Sequence, residues 1–141
     1  MPAHVTVLFP FAASASRDPA VVAHLAGVFA ATAPFAVTFG RIDWFGTHVL
    51  YLVPEPAGPF EALTRAVAEA FPAFPPYEGA FATVVPHCTV GEDAPLRRLR
   101  RAARVVERQL PLEADVASVT LMEHDGATGW LPTHTFALGR S

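Results

Sequence analysis

The sequence predicts an α+β domain of two pseudo-symmetric lobes, each an antiparallel-rich sheet flanked by helices. Three observations predict it. Apolar, β-branched runs alternate with helically spaced segments in the order βαββα and then βαββ across 141 residues. Each half opens or nearly opens on a His-x-Thr triplet, His4-Val5-Thr6 and His87-Cys88-Thr89. The composition, 52% hydrophobic and 16% charged, is that of a well-buried globular chain, and no linker is long enough to separate independent folding units. One domain over residues 1–141 is expected, with lobes of approximately 1–80 and 81–141.

The elements follow in order. Residues His4 to Phe9 are apolar and β-branched and read as a strand. Asp18-Pro19 is an N-cap followed by proline at the first helical position, and Val21, Val22, Leu25, Val28 and Phe29 keep helical spacing, so a helix runs from about 19 to 32. Phe35, Val37 and Phe39 alternate as in a strand, Gly46 marks a turn, and Thr47 to Val53 suits a strand buried on both faces. Pro59 opens a second helix with Phe60, Leu63 and Val67 on one side, and Pro72 ends it. Pro72 to Gly79 is a loop, and Val84 to Val90 is a strand holding the second triplet. A third helix begins near Pro95, with Glu92 and Asp93 at its positive end, and Leu96, Leu99, Ala103, Val106 and Leu110 form its buried stripe up to Pro111. Val116 to Met122 and Thr133 to Leu138 are the last two strands, joined by a turn at Asp125-Gly126.

Composition excludes several classes of function. No apolar run reaches membrane-spanning length, and the start Met1-Pro2-Ala3-His4 lacks the pattern of a signal peptide, so a cytoplasmic location without membrane partners is expected. A single cysteine, Cys88, allows no internal disulfide. The net charge of -3 gives no global attraction to nucleic acid, yet every basic residue is Arg and six of the ten lie between Arg97 and Arg108. Glycine-rich phosphate loops are absent, so nucleoside triphosphate chemistry has no support.

In a strand, residues i and i+2 share a face, so His4 projects with Thr6 and His87 with Thr89. If the two strands lie side by side, two imidazoles and two hydroxyls converge. Hydroxyls donate to non-bridging phosphate oxygens, and imidazoles as a class titrate near neutral pH, so one can take a proton while the other gives one. The bland alternative is a pair of ordinary strands with structural histidines.

The segments Pro2-Ala3-His4-Val5-Thr6-Val7-Leu8-Phe9-Pro10-Phe11 and Val85-Pro86-His87-Cys88-Thr89-Val90-Gly91 resemble the paired signatures of the two-histidine (2H) phosphoesterase superfamily, in its 2'-5' RNA ligase-like branch. Val49-Leu50-Tyr51-Leu52-Val53-Pro54, Phe74-Pro75-Pro76-Tyr77 and the stretch from Trp130 through Gly139 are similar to that branch as well. The resemblance implies a metal-independent phosphoesterase without a cofactor, acting on a 2',3'-cyclic phosphate or a 2'-5' linkage of a nucleotide or RNA end. It implies His87 as base, His4 as acid, and Thr6 and Thr89 as phosphate ligands. Members of the branch carry a strand ahead of the first motif; here that motif begins at residue 4, so the usual N-terminal strand is expected to be lacking. The alternatives are a module that binds RNA-end or nucleotide phosphate without turnover, and a 2'-5' RNA ligase.

Other candidates are weaker. Arg97, Arg101, Arg104 and Arg108 stand four, three and four apart and form one helical stripe, read either as a solvated face or as RNA contacts. Trp44, Phe45 and Tyr77 are candidates for base stacking or for packing. His24 and His124 read as surface residues, His48 as a core histidine and His134 as a packing residue. His87 and Cys88 point to opposite faces of a strand and cannot share one ion, so no metal site is expected; Cys88 reads as a small buried hydrophobe.

Overall fold

The computed structural model describes residues 3–12, 14–75, 79, 85–127 and 129–139. A 3-10 turn at Ala15–Arg17 leads into α1 (Pro19–Ala30), β1 (Phe35–Phe45), β2 (Val49–Glu55), α2 (Gly58–Ala70), β3 (Cys88–Glu92), α3 (Leu96–Glu107), β4 (Leu112–Val116), β5 (Ser118–His124) and β6 (Trp130–Ala137). The α+β architecture expected from the sequence is the one observed. Its first sheet has the order β3-β2-β1-β4, its second is the β5-β6 pair, and all pairings are antiparallel. Among the described residues no helix is long and apolar enough to cross a membrane.

Local chemistry explains the elements. Asp18 caps α1 by accepting from the Ala20 and Val21 amides at 3.0 and 3.4 Å, and Pro19 starts the helix where its missing N–H costs nothing. Phe35, Val37 and Phe39 point inward along the first half of β1. At Gly40 the β1–β2 register shifts, with Phe39 opposite Pro54 and Arg41 opposite Val53. This bulge reverses the alternation. Beyond it Ile42 and Trp44 turn inward, and Arg41, Asp43 and Phe45 face out on the other side.

Each sheet has its own helical cover. Leu25 and Phe29 of α1, Leu63 and Val67 of α2, and Phe136 and Leu138 form one buried cluster over β5–β6. On the four-stranded sheet, Leu50, Leu52 and Cys88 are buried on the face that receives Leu99 and Ala103 of α3. Gly91, opposite Leu50, is where that helix comes closest: a Cβ there would meet Leu99 Cδ2 at 2.9 Å. The chain crosses from one sheet to the other at Ala117, whose carbonyl accepts from the Leu138 amide at 2.9 Å.

Several expectations need correction. The segment from His4 to Phe9 is not a regular strand; Val5 alone bridges to Cys88, in the antiparallel sense. The lobes do not divide at residue 80, because β3 and β4 join β1 and β2 in one sheet, while α1 and α2 pack with the late strand β6. An unexpected strand, β4, pairs with β1 from Phe35–Val116 to Phe39–Leu112. The second strand begins at Val49, so His48 is not in the core; it is exposed in the turn, where its amide donates to the Phe45 carbonyl at 3.3 Å. Pro2, Pro76, Tyr77 and Val84 lie outside the described residues.

Candidate active site

The two motifs meet through the Val5–Cys88 bridge. Directly opposed residues of an antiparallel pair point to the same face, and their neighbours point to the other. Val5 and Cys88 take the α3 side. The antiparallel sense then sets His4 alongside Thr89 and Thr6 alongside His87, all four on the opposite face. His4 is exposed, and the other three are half-buried.

The first motif is tied down on both sides of the bridge. Burial pushes the Cys88 thiol above its ordinary range, and the His4 backbone N–H, donating toward its sulfur, opposes this in part. Two residues past the bridge, the Val7 carbonyl accepts from the Thr64 hydroxyl of α2 at 2.6 Å. Val7, Leu8 and Phe11 then pack against the α1–α2–β6 cluster.

His87 is held more firmly. Its Nδ1 lies 2.8 Å from the Val85 carbonyl. A carbonyl only accepts, so Nδ1 carries the hydrogen and Nε2 is the nitrogen left to gain or lose a proton. Two rings steady the imidazole: Phe45 meets it edge-on with centroids 5.0 Å apart, and Tyr51 at 5.6 Å. Phe45 and Tyr51 stack on each other at 4.3 Å and 24°.

The sequence reading missed part of this face. Tyr51 pairs with Thr89 on one side and Asp43 on the other. The Tyr51 phenol is pushed above its ordinary range, first by burial and next by the Asp43 carboxylate, to which it also hydrogen-bonds; the Arg41 guanidinium opposes these. Arg41 in turn pairs with Asp43 at 3.5 Å and Glu55 at 3.9 Å. A polar ladder of Arg41, Asp43, Tyr51 and Thr89 thus leads up to the histidines. The signal was the shift of apolar positions from 35, 37 and 39 to 42 and 44, which announces the bulge.

The remaining candidates sort by face. Trp44 and Phe45, adjacent in β1, take opposite faces; only Phe45, 36% exposed, reaches the histidine side. Arg97, Arg101, Arg104 and Arg108 are exposed on or at the end of α3, across the sheet from the motifs. His24 is exposed and leans on Phe71. His124 is exposed and its Nδ1 accepts from the Gly126 amide at 3.0 Å, closing the β5–β6 turn. His134 is half-buried and stacks on Phe136. Among the described residues, no three His, Cys, Asp or Glu side chains gather as a metal site. A cleft of about 450 Å³ lined by Pro10, Phe11, Ala73, Phe74 and Pro75 contains none of the His-x-Thr residues.

Two comparisons bear on this geometry. The family model described as the 2'-5' RNA ligase superfamily matches residues 1–128. No curated protein matches the chain.

Proposed function

Since the chain belongs to the 2'-5' RNA ligase superfamily, we propose that it is a metal-independent phosphoesterase opening 2',3'-cyclic phosphates, or cleaving 2'-5' linkages, on nucleotides or RNA ends. The observation that carries this reading is the antiparallel Val5–Cys88 bridge, with one His and one Thr from each motif flanking it on a single face.

The chemistry needs only these side chains. Thr6 and Thr89 donate to the non-bridging oxygens and steady the charge that builds in the transition state. His87 Nε2, its ring fixed through Nδ1, takes a proton from water. The water oxygen bonds to phosphorus as the bond from phosphorus to a ribose oxygen breaks. His4 gives its proton to that departing oxygen. The product is a phosphate monoester with a free ribose hydroxyl, and the two histidines have exchanged protonation states.

Turnover of a 2',3'-cyclic mononucleotide tests this. The rate should be bell-shaped in pH, because acid and base must be in opposite states at once. It should persist in EDTA. His4→Ala and His87→Ala should each lower kcat by about a hundredfold or more. The double variant should be little worse than the slower single one, as for residues acting as a unit. Full activity in His4→Ala would sink the two-histidine mechanism. A cyclic phosphate bound through His87 but never hydrolysed would make the protein a binding module instead.

A further inference from the structure

Charge on this chain is segregated. Six of its ten arginines fall between Arg97 and Arg108, with Glu107 the one acidic residue among them; the other four share the rest of the chain with twelve of its thirteen acidic residues. All six are exposed, and among the described residues none makes an ion pair. The arrangement works against the helix that carries it. Arg97 and Arg101, Arg100 and Arg104, and Arg104 and Arg108 stand four apart, where like charges repel. Arg97 and Arg98 occupy the first turn of α3, at the positive end of its dipole, with no acidic residue there and no side-chain cap. An external polyanion would relieve each of these repulsions.

Beside the helix lies a second, independent feature. A cleft of about 420 Å³ runs between α3 and the β1–β2 turn, with Trp44 and Thr47 on one wall and Arg100, Arg104 and Glu107 on the other. Trp44 supplies a ring, Arg100 and Arg104 supply flat cations, and Glu107 disfavours a phosphate inside. A nucleobase fits those requirements, and a base is free to enter only when the strand is unpaired.

We infer that α3 and the Trp44 cleft form a docking track for single-stranded RNA on the side of the sheet opposite the histidine motifs. Phosphates lie along Arg97, Arg101, Arg104 and Arg108, and one base enters beside Trp44 between Arg100 and Arg104. The inference leans on the proposed activity only for the identity of the polyanion.

The test reads binding by fluorescence anisotropy, using the full chain and a labelled single-stranded RNA with plain hydroxyl ends, over a range of salt. Replacing Arg97, Arg101, Arg104 and Arg108 together with Gln, a good helix former, should weaken binding at least tenfold. The log-log salt slope should flatten by about 0.7 for each phosphate that is no longer neutralised. Arg104→Gln alone should show a fraction of both effects. Trp44→Leu should weaken single-strand binding about tenfold, in line with the loss of one stacked base, and leave the slope unchanged. Trp130→Phe should do neither. Hydrolysis of a cyclic mononucleotide should be unaffected in all of these. Several results would overturn the track: no salt-dependent RNA binding by the parent chain, unchanged affinity in folded arginine variants, tighter binding of duplex than of single strand, or binding abolished by His4→Ala and His87→Ala while the arginine variants bind normally. RNA bound through α3 by a protein that never hydrolyses a cyclic phosphate would keep the track and reject the phosphoesterase.

Discussion

Thr64 is 8% exposed on a helix face otherwise given to Phe60, Leu63 and Val67, and its hydroxyl has a specific task. It donates to the Val7 carbonyl and also, at 3.2 Å, to Phe60 of its own helix. Thr64→Val keeps the shape and removes the donor, so the Val7 carbonyl is left without its partner. The expected cost is about 1–3 kcal/mol in chemical denaturation. Turnover should fall as well, because the anchored segment carries His4 and Thr6; Thr64→Ser should restore both. Thr6→Ala and Thr89→Ala should lower the rate by about tenfold to a hundredfold, less than the histidine variants, since other groups still hold the phosphate. At this scale the sequence was readable in the pairing of the two motifs, which meet at the Val5–Cys88 bridge. It was missed at Asp43 and Tyr51, whose face depends on a bulge at Gly40 that only the shift in apolar spacing announces, and at His48, whose exposure depends on where one strand begins.

Among the elements, α1, α2 and α3 were legible because a proline marks the start of each, an Asp18 cap adds to it on α1, and apolar spacing marks their buried sides. β4 was not. Its five residues, Leu-Glu-Ala-Asp-Val, alternate correctly, but the strand is short, charged and on the sheet edge, so little burial advertises it. The His4–Phe9 segment erred the other way: its β-branched run fits a strand, yet the structure gives it one bridge and a hydrophobic anchor instead of a ladder. The end of β6 depends on Gly139, whose amide donates to the Thr32 carbonyl at 2.6 Å. A Cβ at Gly139 would run into the Ala30 carbonyl oxygen, which is backbone and cannot swing aside. Gly139→Ala should therefore lower stability by about 1–3 kcal/mol, the usual cost of overpacking, and lower the midpoint of thermal unfolding by several degrees. An unchanged midpoint would mean that the α1–β6 junction moves freely.

For the whole molecule, the α+β class was legible from the order of elements, but the boundary between lobes was not. Sequence order suggested two contiguous halves, whereas β3 and β4 return to the sheet begun by β1 and β2, and α1 and α2 wait for β6. The segment around the first motif touches both assemblies, through Val5 at one sheet and through Val7, Leu8 and Phe11 at the other cluster. The bridge it makes has a stereochemical consequence. An antiparallel pair has a local twofold axis, and the one midway between Val5 and Cys88 carries His4 onto His87 and Thr6 onto Thr89. The backbone there presents the two motifs alike, while their side chains differ, His87 being half-buried and held through Nδ1 and His4 exposed. Groups that break the local symmetry decide whether a cyclic diester opens toward its 2' or its 3' oxygen, and Phe45 and Tyr51 stand beside His87. Phe45→Ala, which spares the buried Tyr51, should therefore shift a single monophosphate product toward a mixture of the 2' and 3' isomers. Chromatographic separation of the isomers would read that regiochemistry directly, and one unchanged isomer would place the choice elsewhere.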